Sequence, residues 1–432
     1  MNQALSVRAT VERCLARAAE CEPWLHAFAW LDPERARRLA READASASAG
    51  PLQGMPVAVK DIVDTAGIPT EHGSPLFAGR VPTRSATLVQ RLERAGAIVV
   101  GKTVTAELAY FHPGPTVNPY DRSRTPGGSS MGSAAAVAAP VREVMGAVGT
   151  QTNGSVIRPA AFCGVVGFKP TYGRIPTAGV LEFARSLDTI GAFGADVTTA
   201  GRLAAVMAGD DPAAWRASRP SRPRFAVVRT GDWASADVPA RERFDADCRA
   251  LEEAGAEVRA PEPLDGLDDA LPLLRIVMAY EGARAIGPII DRDASRASEQ
   301  IRALVAEGRA IPDERYRDAL RRKDALSRAY AQWSDGYDAV VTLPARGEAP
   351  GRETTGDPRF CTRWTFLGVP AVAIPTGFGP HGLPLGLQLV GSAGADAQLL
   401  AAAEWAAAAT APAGIAAVSE PRGAWRTGPL AR

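Results

Sequence analysis

The chain has 432 residues, 46% of them hydrophobic and 22% charged, with a formal net charge of +1. That balance supports a large buried core and excludes a disordered chain, and the interspersed charges leave no basic footprint for nucleic acid or an anionic membrane surface, so the expected partner is a small molecule. Five scattered cysteines, Cys14, Cys21, Cys163, Cys248 and Cys361, form no C-x-x-C pair, which argues against a disulfide framework and against any metal site.

No stretch approaches the ~18 apolar residues needed to cross a bilayer, and Met1 to Ser6 carries no apolar signal core, so a cytoplasmic protein is expected. From Ser6 to about Glu20, Val7, Val11, Leu15 and Ala18 recur at helical spacing, and Pro33 to Asp44 predicts an Arg- and Ala-rich amphipathic helix. Ser46 to Gln53 reads as a linker. Pro56-Val57-Ala58-Val59-Lys60 follows as a buried strand ending in a lone ammonium; burial lowers a lysine pKa, which makes Lys60 a candidate neutral base. Ala86 to Ala95 predicts a helix and Gly96 to Gly101 a strand, an α/β step from which parallel strands are expected. Glu107 to Pro119, with Tyr110, Phe111 and His112, is either a wall of the pocket or an ordinary surface loop.

The chemistry is placed between Gly127 and Lys169. Ser129 and Ser130 precede a small-residue helix, Ser133 to Ala139, with Ser130 at its N-cap and the hydroxyls at the positive end of the helix dipole. A strand over Val144 to Gly149 delivers the turn Gln151-Thr152-Asn153-Gly154-Ser155. Gly and Asn there tolerate the backbone in which successive N–H groups converge as an oxyanion hole, so Ser155 is the candidate nucleophile. None of the four histidines stands in a G-x-S-x-G elbow setting, which turns the search for a base to lysine. Cys163 to Phe168 is a further predicted strand, and Leu187 to Gly191 with a helix over Asp196 to Met207 closes this half.

Asp210 to Pro223 is a proline-rich crossing between the halves. Beyond it the alternation continues: strands at Phe225 to Val228, Ala256 to Val258, Ala339 to Thr342, Ala371 to Ile374 and Leu385 to Leu389, with helices at Ala240 to Ala254, Leu267 to Ile286, Asp313 to Trp333 and Ala395 to Ala409.

Three separated blocks carry a resemblance. Gly54-Met55-Pro56-Val57-Ala58-Val59-Lys60-Asp61, Pro126-Gly127-Gly128-Ser129-Ser130, and Gly154-Ser155 followed by Gly164 to Thr171 resemble the amidase signature family of serine hydrolases. The resemblance implies one large α/β domain over residues 1–432, with a mixed, mostly parallel central sheet covered by helices on both faces. Its signature core is about 54–191, a less constrained insertion about 210–335, and strands within 339–390 return to the core sheet. It also implies a relay from Lys60 through Ser129, on a cis peptide after Gly128, to the nucleophile Ser155. The oxyanion donors it implies are main-chain N–H groups of Thr152, Asn153, Gly154 and Ser155, with Ser130 bonding inside the relay.

The sequence departs from the commonest family form at Met131, usually small, at Gln151 for Asp, and at Asn153 for Gly; Met131 and Asn153 are expected to narrow the pocket, and Gly128, Ser130, Met131 and Arg158 are the expected substrate-binding residues. The run Gly149 to Ala160 resembles malonamidase-type bacterial members, in which the arginine matching Arg158 grips a substrate carboxylate. The alternative for Arg158 is a structural ion pair with Asp188 or Asp357. The expected function is hydrolysis of a non-peptide C–N bond in a small carboxamide, without cofactor or metal, in a chain that leaves room for a homodimer. The rivals are the amidase-like subunit of an aminoacyl-tRNA amidotransferase and a silent amidase-fold binding protein.

Overall fold

A computed structural model describes residues 6–46, 50–139 and 145–410. Helix α1 (Val7–Leu25) starts on Ser6, whose hydroxyl accepts from the Ala9 amide, and is followed by β1 (Phe28–Leu31), α2 (Pro33–Ala45) and β2 (Pro56–Lys60). Then come α3 (Thr87–Arg94), β3 (Ile98–Thr103), α4 (Met131–Ala138), β4 (Gly146–Gln151), α5 (Ile157–Cys163), β5 (Val166–Lys169), β6 (Thr189–Gly194) and α6 (Val197–Ala208). The second half contributes β7 (Arg224–Val227), α7 (Val238–Glu253), β8 (Glu257–Arg259), α8 (Ala270–Ala285), α9 (Gly287–Ile290), α10 (Glu299–Ala310) and α11 (Asp313–Trp333). It closes with β9 (Ala339–Thr342), α12 (Arg359–Phe366), β10 (Ala371–Phe378), β11 (Pro384–Val390) and α13 (Asp396–Thr410).

All of these strands join one 11-stranded sheet in the order β1-β3-β2-β4-β6-β5-β10-β11-β9-β7-β8. The apolar residues of β2 alternate between two cores: Ala58 packs with one cluster, Val57 and Val59 with the other, as a pleated strand covered on both faces requires. The parallel arrangement expected from the α/β alternation holds for β3-β2-β4 and for β9-β7-β8. From β4 through β6, β5, β10 and β11 to β9 every neighbour is antiparallel, as is β1 on β3, so the sheet is mixed without being mostly parallel. The cause is connectivity. β10 and β11 form a hairpin, and the last strands re-enter the sheet against β5, which ties the two ends of the sequence into one layer.

Some boundaries differ from expectation. Cys163, expected in a strand, closes helix α5, because Gly164 at φ 60° ends the helix before the chain enters β5. β4 begins later than expected, and Val144 lies outside the described residues, as does part of the Ser46 to Gln53 linker. Helix α4 sits where only small residues fit: a Cβ on Gly132 would fall 2.1 Å from the Ala27 carbonyl oxygen and 2.6 Å from the Val104 nitrogen. Among the described residues no helix is long and apolar enough to cross a membrane.

Candidate active site

Lys60 ends β2 with its side chain wholly buried, and its Nζ stands 2.8 Å from Ser129 Oγ and 2.8 Å from Thr150 Oγ1. Among the described residues it makes no ion pair. Burial pulls its pKa down from 10.5 to about 7, against a smaller upward pull from Asp188, so the amine is poised to accept a proton near neutral pH.

The Gly128–Ser129 peptide is cis, as the family pattern implies. The turn before it packs on the first turn of α5, where a Cβ on Gly127 would lie 2.7 Å from Pro159 Cα. Ser130 stands at the N-cap of α4 without capping it; its hydroxyl donates to the Thr150 carbonyl and accepts from the Thr150 amide, both at 3.2 Å. This side chain is fully buried and engaged by β4, so it braces Thr150 under Lys60 and is not turned toward a substrate. Met131, also buried, accepts from the Gly114 amide through Sδ at 3.2 Å and thereby ties the 107–119 loop to the serine turn. That loop is indeed beside the site: Ala106 N–H donates to the Ser129 carbonyl, and the Phe111 ring lies 6.0 Å from the Arg158 guanidinium carbon.

The loop from Gln151 to Ser155 is held from two directions. Gln151 Oε1 accepts from the amides of Val156 and Ile157 at 2.7 and 3.0 Å, while its Nε2 donates to Thr365 Oγ1 at 2.9 Å. Thr365 in turn donates to the Asn153 carbonyl, and Thr362 donates to Asn153 Oδ1 at 2.6 Å. The Asn153 side chain is thus turned onto α12. Thr152 donates to Asp188 at 2.5 Å, and Asp188 also accepts from the amides of Phe183 and Ala184. Among the described residues the N–H groups of Asn153, Gly154 and Ser155 donate to no protein acceptor, which leaves a row of donors at the turn. The Ser155 hydroxyl likewise has no hydrogen bond to Ser129 or to another described group; an unliganded site of this kind commonly tightens only around its substrate.

Arg158 settles between its two alternatives in one respect. Its Nη2 donates to the Gly128 carbonyl at 2.7 Å and sits 3.4 Å from Thr355 Oγ1, whereas Nε and Nη1 are buried with no partner. Asp188 is occupied by Thr152 and two amides, and Asp357 pairs with Arg359, so neither forms the structural ion pair considered for Arg158. Burial lowers the guanidinium pKa to about 10, which leaves a buried cation with open donors beside the serine turn.

Sequence reasoning missed Thr150 and the two α12 threonines, and considered Asp188 only as an ion-pair partner for Arg158. Thr150 had a usable signal, lying on the same strand face as Thr152 and two residues before it. Thr362 and Thr365 had none, because they reach the loop from some two hundred residues away, as the separations of 209 and 212 record.

Comparison with known proteins finds relatives that match nearly the whole chain. The sequence model of the Amidase family matches residues 9–400. The chain is 35% identical to a glutamyl-tRNA(Gln) amidotransferase subunit of Anaeromyxobacter sp. (strain K), over 93% of this chain and 92% of the relative. It is 33% identical to the corresponding subunit of Prochlorococcus marinus (strain MIT 9303), over 92% of each. Among solved structures, a crystal structure of an amidase superposes with a TM-score of 0.86 at 32% identity, covering 94% of this chain and 96% of that one. Native peptide amidase from Stenotrophomonas maltophilia gives 0.81 at 27% identity, with 94% of each covered.

Proposed function

The chain belongs to the amidase signature family, hydrolases of amide C–N bonds, and from that membership we propose that it cleaves a small carboxamide through an acyl-Ser155 intermediate. The observation that carries this reading is the contact between a fully buried, carboxylate-free Lys60 and Ser129 at 2.8 Å. In the proposed cycle Ser155 Oγ attacks the carbonyl carbon as its proton passes to Ser129, whose own proton passes to Lys60. The resulting oxyanion is received by main-chain N–H groups of the 152–155 turn. Collapse breaks the C–N bond, Ser129 returns a proton to the leaving nitrogen, and ammonia or an amine departs. Water then adds to the ester through the same relay and releases the carboxylic acid. No cofactor or metal is invoked. The open donors of Arg158 support a substrate bearing a second carboxylate.

The test is ammonia release from a panel of amides by the chain and by Ser155→Ala, together with fluorophosphonate labelling. Label on Ser155 and loss of turnover in the variant are expected; retained turnover in Ser155→Ala overturns the reading.

A second reading is favoured by the curated relatives, which are amidotransferase subunits at 33–35% identity over nearly their whole length. Here the same acyl-enzyme step would operate in a complex, with the released nitrogen transferred to an acceptor. Amide turnover by the purified chain alone supports the self-sufficient enzyme, and turnover that depends on added subunits supports the second reading.

A further inference from the structure

A cavity of about 440 Å³ lies beside the relay. Thr150, Thr152 and Asp188 are among its lining residues, and the first of them receives the Lys60 amine. Its walls include Ile62, Ile175, Val180, Leu181, Phe183 and Ile190, and Tyr172 and Arg185 stand among the lining residues. The volume falls within the ~300–1,000 Å³ of small-molecule sites.

These three polar groups already have partners. Thr150 is bonded to Lys60, Thr152 to Asp188, and Asp188 further accepts from two amides. They therefore offer a ligand little beyond shape, and burial of an uncharged apolar group against the aliphatic lining is what the cavity rewards. A primary amide nitrogen alone would leave this space empty.

We propose that the cavity receives an apolar arm of the amide substrate, an unbranched alkyl or aryl group, while the scissile carbonyl sits at the 152–155 turn. The inference rests on the Ser155 reading and adds the substrate class to it. The arm belongs to the acyl part or to the amine part, and two substrate series tell them apart: acetamide to hexanamide, and N-methylacetamide to N-hexylacetamide.

In one series kcat/KM is expected to rise roughly fourfold per methylene, the gain that burial of a methylene supplies. Leu181→Trp and Val180→Trp, which fill the cavity, should flatten that rise, and Leu181→Ala should move the optimum to a longer chain. A flat response in both series, or a slope unchanged in the tryptophan variants, overturns the proposal. Absence of all turnover together with absence of label on Ser155 counts against the catalytic reading instead. In that case calorimetry of hexanamide and of N-hexylacetamide against acetamide on Ser155→Ala decides the cavity: tighter binding of either long amide, lost in Ser155→Ala/Leu181→Trp, supports it, and equal binding of all three overturns it.

Discussion

Lys60 Nζ and Ser129 Oγ, 69 residues apart in sequence, are 2.8 Å apart in the fold, and among the described residues no carboxylate is bonded to the amine. An ammonium in that setting lacks the charge partner that would hold its proton, and the consequence is visible in pH. The folded pKa is lowered from 10.5 to about 7, so the base form dominates above about 7 and kcat/KM should rise through that value. Lys169 is also drawn to about 7 by burial, and the assignment therefore rests on Lys60→Met removing the limb and lowering activity by at least about 100-fold near neutrality. Stability moves in the same sense. Between about 7 and 10.5 the unfolded state holds the proton that the folded state has released, so this group's contribution to stability rises with pH across that window, and its penalty is complete below about 7. Lys60→Met should thus gain most in thermal stability at acid pH. A pH-rate profile that keeps its acid limb in the variant would rule out Lys60 as the base.

The charge of Asp188 opposes the drop in the Lys60 pKa. Asp188→Asn removes that opposition, so the acid limb of kcat/KM should shift to lower pH. The same substitution leaves the Thr152 hydroxyl and the amides of Phe183 and Ala184 facing a neutral amide, and kcat should fall as the 152–155 turn loosens. Asp188 is itself raised to about 6 by burial, which leaves the wild-type carboxylate mostly charged at the limb near 7, where the comparison starts. A limb that stays in place, or moves upward, would show that this carboxylate does not set the amine.

Gln151 and Asn153 show how far the sequence could be read. The strand ending in Lys60, the serine turn and the Gln151 to Ser155 turn are legible because each is local: a short apolar run, then residues that only a special backbone or a chemical task explains. From sequence alone Asn153 looked like a change to the pocket mouth, and Gln151 like a bare replacement of Asp. In the fold they are changes of tether. Gln151 bridges the first amides of α5 to Thr365, and Asn153 is held by Thr362 and Thr365, so α12 fixes the turn. No local pattern announces this, since α12 is eight residues long and its partners are set by the return of the C-terminal strands to the sheet. The antiparallel centre of the sheet was illegible for the same reason: strand alternation gives direction only when connections are local, and the β10–β11 hairpin enters from the far end of the chain.

That tether can be cut at one atom. Thr365 is buried, accepts from Gln151 and donates to the Asn153 carbonyl. Thr365→Val keeps the shape and strands both partners, which costs about 1–3 kcal/mol of stability. The stronger effect is expected on kcat, lowered about 10-fold or more with KM little changed, because the turn's N–H donors act on the developing oxyanion. Thr365→Ser restores the hydroxyl and should restore kcat. Equal kcat in Thr365→Val and wild type, measured with the variant shown to be folded, would mean that the turn is rigid without α12.

Arg158 poses stability against function. A buried guanidinium with two unpartnered nitrogens is a poor contributor to folding, since its desolvation is offset mainly by one bond to the Gly128 carbonyl and a longer contact with Thr355. Arg158→Met fills comparable volume without charge and loses that bond. The expected result is a thermal stability equal to wild type or higher by about 1 kcal/mol, unlike the loss usual for a buried substitution. Turnover should divide by substrate. For amides bearing a carboxylate, kcat/KM should drop by about 100-fold, the worth of a charge-assisted bidentate contact, while neutral amides should change much less. Unfolding curves and a paired malonamate and butanamide assay decide the matter. A variant that is markedly destabilised, and slow on both substrates alike, would show that the guanidinium organises the serine turn and does not read the substrate.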